Sequence, residues 1–105
     1  MMLILTDDMM LETFESPDHP PNWLEWIDVA NEEYSFCSDR GQRYVGQLVR
    51  SARFFRAEEW HLVAEGEPDL NNALELVDRA YDVDENRCCF PDLGTLRKHI
   101  ARHGS

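Results

Sequence analysis

Apolar and polar residues alternate with two different periods along this chain, and the changes of period mark out its elements. Met2 to Leu5 is an unbroken apolar run of strand length, which predicts a short buried strand at the start of the fold. Thr6, Asp7 and Asp8 then read as a helix start, since a short polar side chain caps free N–H groups and acids suit the positive end of the helix dipole. Met10, Leu11 and Phe14 follow at helical spacing, so a short helix is expected over 7–15. Pro17, Pro20 and Pro21 break the chain, because proline fits neither a helix interior nor a central strand.

The next stretch carries two signals. Asn22 and Glu25 have capping-box spacing, which favours a helix, whereas Trp, Ile and Val over so short a run favour a strand. Downstream, Tyr34-Ser35-Phe36-Cys37 alternates, Ser38-Asp39-Arg40-Gly41 forms a turn, and the residues from Arg43 to Arg50 alternate again. The expected arrangement is an antiparallel meander of strands over 23–29, 33–37 and 42–49, with another strand over 60–64. Pro68 and Asp69 open the clearest helix, whose stripe is Leu70, Ala73, Leu74, Val77 and Tyr81, with Glu75 and Arg79 as an i,i+4 pair on the outside. Pro91 and Asp92 open a last helix facing inward with Leu93, Leu96 and Ile100.

The order strand, helix, meander, strand, helix, helix predicts an α+β domain: a small antiparallel sheet, meander plus N-terminal strand, covered by two or three helices. With 105 residues the chain is one domain with one real core. Expected core residues are Leu3, Leu5, Leu11, Phe14, Ile27, Phe36, Val45, Leu62, Leu70, Leu74, Val77, Leu93, Leu96 and Ile100. Trp23, Trp26 and Trp60 argue against disorder despite the charge. No run approaches the ~20 apolar residues of a spanning helix. The first residues lack the basic leader of a signal peptide, and the three cysteines are an odd number, so a cytoplasmic protein with reduced thiols is expected. A sheet edge such as Met2 to Leu5 or 60–64 could pair across a dimer, so the chain is expected to be a monomer or a weak homodimer.

Charge alters this picture most, because it is sorted into blocks. Residues 1–39 hold ten carboxylates and no Lys or Arg, 40–56 hold five arginines and no carboxylate, and 57–86 hold ten carboxylates against Arg79 alone. The last block, 87–105, is basic, and the net charge is −11. Surfaces of one sign steer partners of the other. The acidic blocks point to a basic protein partner, of the kind an immunity or regulatory protein holds, with Asp18, Glu32, Glu33, Glu65, Glu67 and Asp78 as contact residues. Met9 and Met10 could add an adaptable apolar patch beside the acid.

The alternative site is the basic aromatic strip 40–56, in which Arg43, Arg50, Arg53 and Arg56 are interleaved with Tyr44, Phe54 and Phe55 as in single-strand nucleic-acid binders. A chain this acidic repels phosphate, which argues against nucleic acid and for arginines that cross-link the acidic blocks.

Signals for catalysis are weak. No nucleophile turn, zinc-protease helix or phosphate loop is present, and Cys37 has no activating neighbour in sequence. Pairs such as Asp7 with Asp8, Glu58 with Glu59 and Glu65 with Glu67 arise by chance among 21 acids. Glu59 and His61 would share a strand face, as a base and its orienter do. His99 and His103 share a helix face with Cys88 and Cys89 upstream, but adjacent cysteines do not match the spacing of about two to four residues in structural zinc sites. The expectation is a non-enzymatic protein with no cofactor and no metal.

Overall fold

The central strand is β1, Met2–Leu5, buried along its whole length, as an apolar run without polar alternation demands of a strand covered on both faces. The computed structural model describes residues 1–50 and 59–103. Around β1 it forms a six-stranded, mostly antiparallel mixed sheet in the order β5-β4-β3-β1-β2-β6, where β2 is Met10–Phe14, β3 Ser35–Ser38, β4 Arg43–Arg50, β5 Glu59–Glu65 and β6 Asp82–Val83. Among the described residues three helices accompany it: α1 (Trp26–Ala30), α2 (Leu70–Arg79) and α3 (Leu93–His103), of which the last two are substantial. The domain is therefore α+β, as the pattern predicted.

Segment 7–15 is a hairpin arm and not a helix. Thr6 closes the turn: its hydroxyl donates to the Met10 carbonyl and accepts from the Met10 N–H, both at 3.2 Å, and its own N–H reaches the same carbonyl at 3.0 Å. Met9 takes the left-handed conformation (φ 61°) that turns the chain back. The residue expected to cap a helix thus staples a turn, and Asp7 and Asp8 lie exposed at its tip. β2 then pairs with β1 in the register Leu5↔Leu11, Ile4↔Glu12, Leu3↔Thr13, Met2↔Phe14. Its other side pairs in parallel with the two-residue β6, an element the sequence did not announce.

The expected strand over 23–29 is also replaced. This stretch ends in α1, one turn and a half long, and the capping residue is Glu25, whose side chain makes no cap hydrogen bond. Gly46 of β4 makes the room: a Cβ there would stand 2.4 Å from Val29 and 3.1 Å from the Trp26 ring. The meander is instead β3–β4–β5. β3 meets β4 through only two residue pairs, Phe36↔Tyr44 and Cys37↔Arg43, whereas β4 and β5 run together from Arg43↔Glu65 to Arg50↔Glu59 with a bulge between Leu48 and Arg50. The 60–64 segment does lie at the sheet edge; Met2–Leu5 lies at its centre, so it cannot template a dimer.

The core is double. On one face Leu3, Leu5, Leu11 and Cys37 pack under α2 and α3, meeting Ala73, Leu76, Val77, Leu96 and Ile100. On the other, Met2, Ile4, Phe36 and Leu62 pack under the proline-rich segment and α1, through Leu24 and Val29. Two expected core residues are corrected: Ile27 is 62% exposed on the outside of α1, and Val45 is 41% exposed on the face of β4 that α1 does not cover. Tyr81, read as the end of the α2 stripe, lies beyond the helix and is exposed. Asp69 is the N-cap of α2, its carboxylate accepting from Asn71 N–H, and Asp92 does the same for Thr95 ahead of α3. No helix among the described residues is long and apolar enough to cross a membrane.

Candidate functional site

One row of the sheet carries a buried carboxylate, the only buried charged side chain among the described residues. In register, Glu12 lies beside Ile4, Ile4 beside Phe36 and Phe36 beside Tyr44, all on the face that α1 covers. Glu12 is thus a carboxylate on an apolar row, only 5% exposed. Trp23 and Tyr34, edge to face with centroids 5.7 Å apart, pack against the same cluster. The turn after β6 brings in a cation, Arg87. Asp84 anchors that turn, its carboxylate accepting from the N–H groups of Asn86 and Arg87, while the Arg87 carbonyl accepts from Thr13 N–H at 3.0 Å. From there the Arg87 guanidinium lies 4.7 Å from the centre of the Trp23 ring, and its Nη1 is 3.9 Å from Glu12 Oε1.

Between these groups and the β1–β2 turn lies a cavity of about 180 Å³, rimmed by Asp7, Asp8 and Asp84. Four carboxylates, Asp7, Asp8, Glu12 and Asp84, line it against Arg87, so carboxylates outnumber cations there. Burial pushes the Glu12 carboxyl above its ordinary range; Arg87 opposes the shift and Asp84 adds to it. Tyr34 is also raised, first by burial and then by the charges of Asp28, Asp7, Glu33 and Glu12. The exposed Glu33 is raised chiefly by its hydrogen bond with Asp28.

The Glu12 shift has a consequence for stability. The folded carboxyl binds its proton more tightly than the unfolded one, so stability falls as pH rises from the ordinary Glu range through the folded value. At pH 7 the folded state holds a poorly solvated charge. Glu12→Gln is therefore expected to raise Tm by a few degrees at pH 7, with the gain shrinking toward zero in acid, where Glu12 is protonated in both states. Melting curves of both proteins between pH 3 and 8 check this, and a deficit for the variant at neutral pH would show that the Arg87 pair outweighs burial.

The six residues read as partner contacts do not form one patch. Glu33 belongs to the acidic side just described, through its coupling with Asp28 and Asp7. Glu32 and Glu65 line a different groove of about 390 Å³, between the divergence of β3 from β4 and the flank of α2. Arg43, Glu75 and Arg79 stand in the same groove, so its charge is mixed. Glu67 is exposed past the end of β5, Asp18 is exposed in the proline-rich segment, and Asp78 is engaged by Arg97. Of the arginine strip, Arg43 pairs with Glu75 at 3.5 Å, which takes Glu75 away from its expected partner Arg79. Arg53 and Arg56 lie outside the described residues, as does the side chain of Arg50.

The metal candidates are scattered. His99 Nε2 lies 2.9 Å from Asp39 Oδ2, and its ring rests 5.0 Å from Phe90, which ties α3 to the end of β3. Cys89 is exposed beside Thr13, whose hydroxyl accepts from Cys89 N–H at 2.9 Å and donates to its sulfur at 3.3 Å. Cys88 is half-buried, and the side chain of His103 lies outside the description. Among the described residues no group of three or more His, Cys, Asp or Glu is placed to hold an ion. Cys37 is 1% exposed, and burial pushes its thiol up to about 11, so it stays protonated. Glu59 and His61 both lie on β5, on the face turned from α1.

Comparisons with protein-family models, with curated proteins and with solved structures gave no significant match.

Proposed function

We propose that this chain is a non-enzymatic interaction protein that holds a basic protein partner against an acidic surface, in the manner of an immunity or regulatory protein. One observation carries the reading. The β1–β2 turn, β2, the residues around α1 and the turn after β6 bring Asp7, Asp8, Glu12, Asp28, Glu33 and Asp84 to one side of the sheet, where Arg87 is the single cation lining the cavity among the described residues. Carboxylates gathered this way, beside Trp23 and Tyr34, suit a partner that brings positive charge and buries aromatic surface.

Association with a deca-arginine peptide tests it. The peptide should bind, with an on-rate that falls steeply as salt is raised. Asp7→Lys with Asp8→Lys should slow association by about tenfold at low salt and flatten the salt dependence. Glu65→Lys with Glu67→Lys reverses charge at the far end of β5, and a slower on-rate there would assign a share to the mixed groove. An on-rate unchanged by reversal at either place removes the electrostatic reading. A single-stranded oligonucleotide that binds in place of the peptide would replace it with the arginine strip.

A further inference from the structure

The Glu12 carboxylate is held by its own protein only through a loose ion pair with Arg87. Oε1 faces Arg87 at 3.9 Å, beyond hydrogen-bond reach, and Oε2 has neither a hydrogen bond nor an ion pair among the described residues. No fully buried side-chain oxygen among the described residues lacks a hydrogen-bond partner, so the Glu12 oxygens, though the residue is only 5% exposed, open to solvent, which an incoming donor can replace. Glu12 lines the cavity, so an incoming group can reach it from there. At about 180 Å³ that cavity is smaller than the ~300–1,000 Å³ of ordinary small-molecule sites, and it suits the end of one side chain.

The walls specify which side chain. Trp23 and Tyr34 offer aromatic faces and edges, Glu12 a planar pair of acceptors, and Asp7, Asp8 and Asp84 a negative rim. A guanidinium answers all three, stacking flat on an aromatic ring while donating two parallel N–H bonds to a carboxylate. The molecule contains a demonstration of the fit, since Arg87 lies over the Trp23 ring. Yet Arg87 reaches this place from an exposed turn, is itself half-exposed, and stops short of Glu12.

We propose that the cavity between Glu12, Trp23 and Tyr34 receives the guanidinium of an arginine from the partner, and that Arg87 is a resident stand-in which that arginine displaces. This rests on the reading of the acidic side as a surface for a basic protein, and it names the anchor of that contact. Glu12 supplies the two acceptors, Trp23 the stacking face, and the rim the long-range attraction. The displaced Arg87 swings to solvent, where a half-exposed arginine is readily rehydrated.

The test is a titration of the wild-type chain with N-acetyl-arginine amide, followed at the Trp23 indole N–H by NMR and assigned with Trp23→Phe. A saturable, millimolar shift is expected, absent with N-acetyl-norleucine amide. Arg87→Ala should tighten binding by about threefold or more, because the competitor is gone. Glu12→Gln should abolish the response; this variant removes a buried charge and keeps its shape, so its fold survives. Should Arg87→Ala lower stability too far, Arg87→Gln keeps most of the stem and serves instead. An unchanged or weaker affinity in the arginine variants overturns the stand-in role, and a Trp23 shift that persists in Glu12→Gln overturns the cavity as the site. Deca-arginine separates this inference from the broader reading: salt-dependent binding that Glu12→Gln leaves untouched refutes the anchor alone, whereas no binding to the wild-type chain refutes both.

Discussion

Gly41→Ala is expected to destabilise the domain by about 3 kcal/mol, with a fall in Tm of roughly 10–20 °C. Gly41 ends the turn between β3 and β4 with φ +90°, a conformation that disfavours any side chain by about 1–2 kcal/mol. It is also pressed against the start of α2. A Cβ would fall 2.0 Å from the Asp69 carbonyl oxygen and 2.7 Å from Leu70 N, both backbone atoms that no rotamer change can move. The Gly41 carbonyl accepts from Asp69 N–H at 3.2 Å and from the Asn72 amide at 3.1 Å, so relief of the clash would break the bonds that dock the turn on the helix. Gly66 provides the control. Its φ is +72°, but nothing lies within 4 Å of where a Cβ would stand, so Gly66→Ala should cost only the strain, about 1 kcal/mol. Denaturant melts of the two variants measure the difference. Equal losses would show that the α2 contact at Gly41 relaxes without penalty.

The parts of the fold that were legible in the sequence are those whose pattern is long enough to have one reading. α2, α3 and β4 carry a stripe or an alternation over several repeats, and local geometry agrees with what they pack against. The two misassigned elements are short. Met10, Leu11 and Phe14 satisfy a helical period, but Leu11 and Phe14 also fall on opposite faces of a strand, and the free side of β1 decided between them. In 23–29, strand propensity competes with a capping signal, whereas the structure buries Leu24 in the chain ahead of a five-residue helix and Val29 in that helix, which lies on Gly46. The site was obscured by the first error. Read as part of a helix, Glu12 is one more surface acid; read as a strand residue opposite Ile4, it is a buried carboxylate. Its partner Arg87 is far away in sequence and reaches it only through the β2–β6 pairing and the turn that follows, which no local pattern announces. What the charge blocks did convey is regional: Asp7, Asp8, Glu12, Asp28 and Glu33 all come from the first acidic block.

Ile4→Ala and Leu96→Ala should each cost about 3 kcal/mol, a large share of the ~5–15 kcal/mol that holds a domain together, and yet differ in what they do to the site. Both side chains are fully buried, so each truncation loses transfer energy and leaves a cavity. They serve different faces of the sheet. Leu96 belongs to the cluster under α2 and α3, while Ile4 belongs to the one that supports the proline-rich segment and α1. Trp23, Trp26 and Trp60 all pack against the Ile4 cluster, and Tyr34 joins them there. Loss of Ile4 therefore removes the floor beneath the aromatic wall of the acidic cavity, beside Glu12 itself in the strand register. The native near-ultraviolet circular dichroism and tryptophan emission should change in Ile4→Ala and stay close to wild type in Leu96→Ala at matched stability. The same asymmetry should appear in the proposed binding, with weaker deca-arginine association after loss of Ile4 and unchanged association after loss of Leu96. If the two variants perturb the tryptophans alike, the faces are not mechanically separate, and the acidic side owes its shape to the whole core and not to the cluster beneath it.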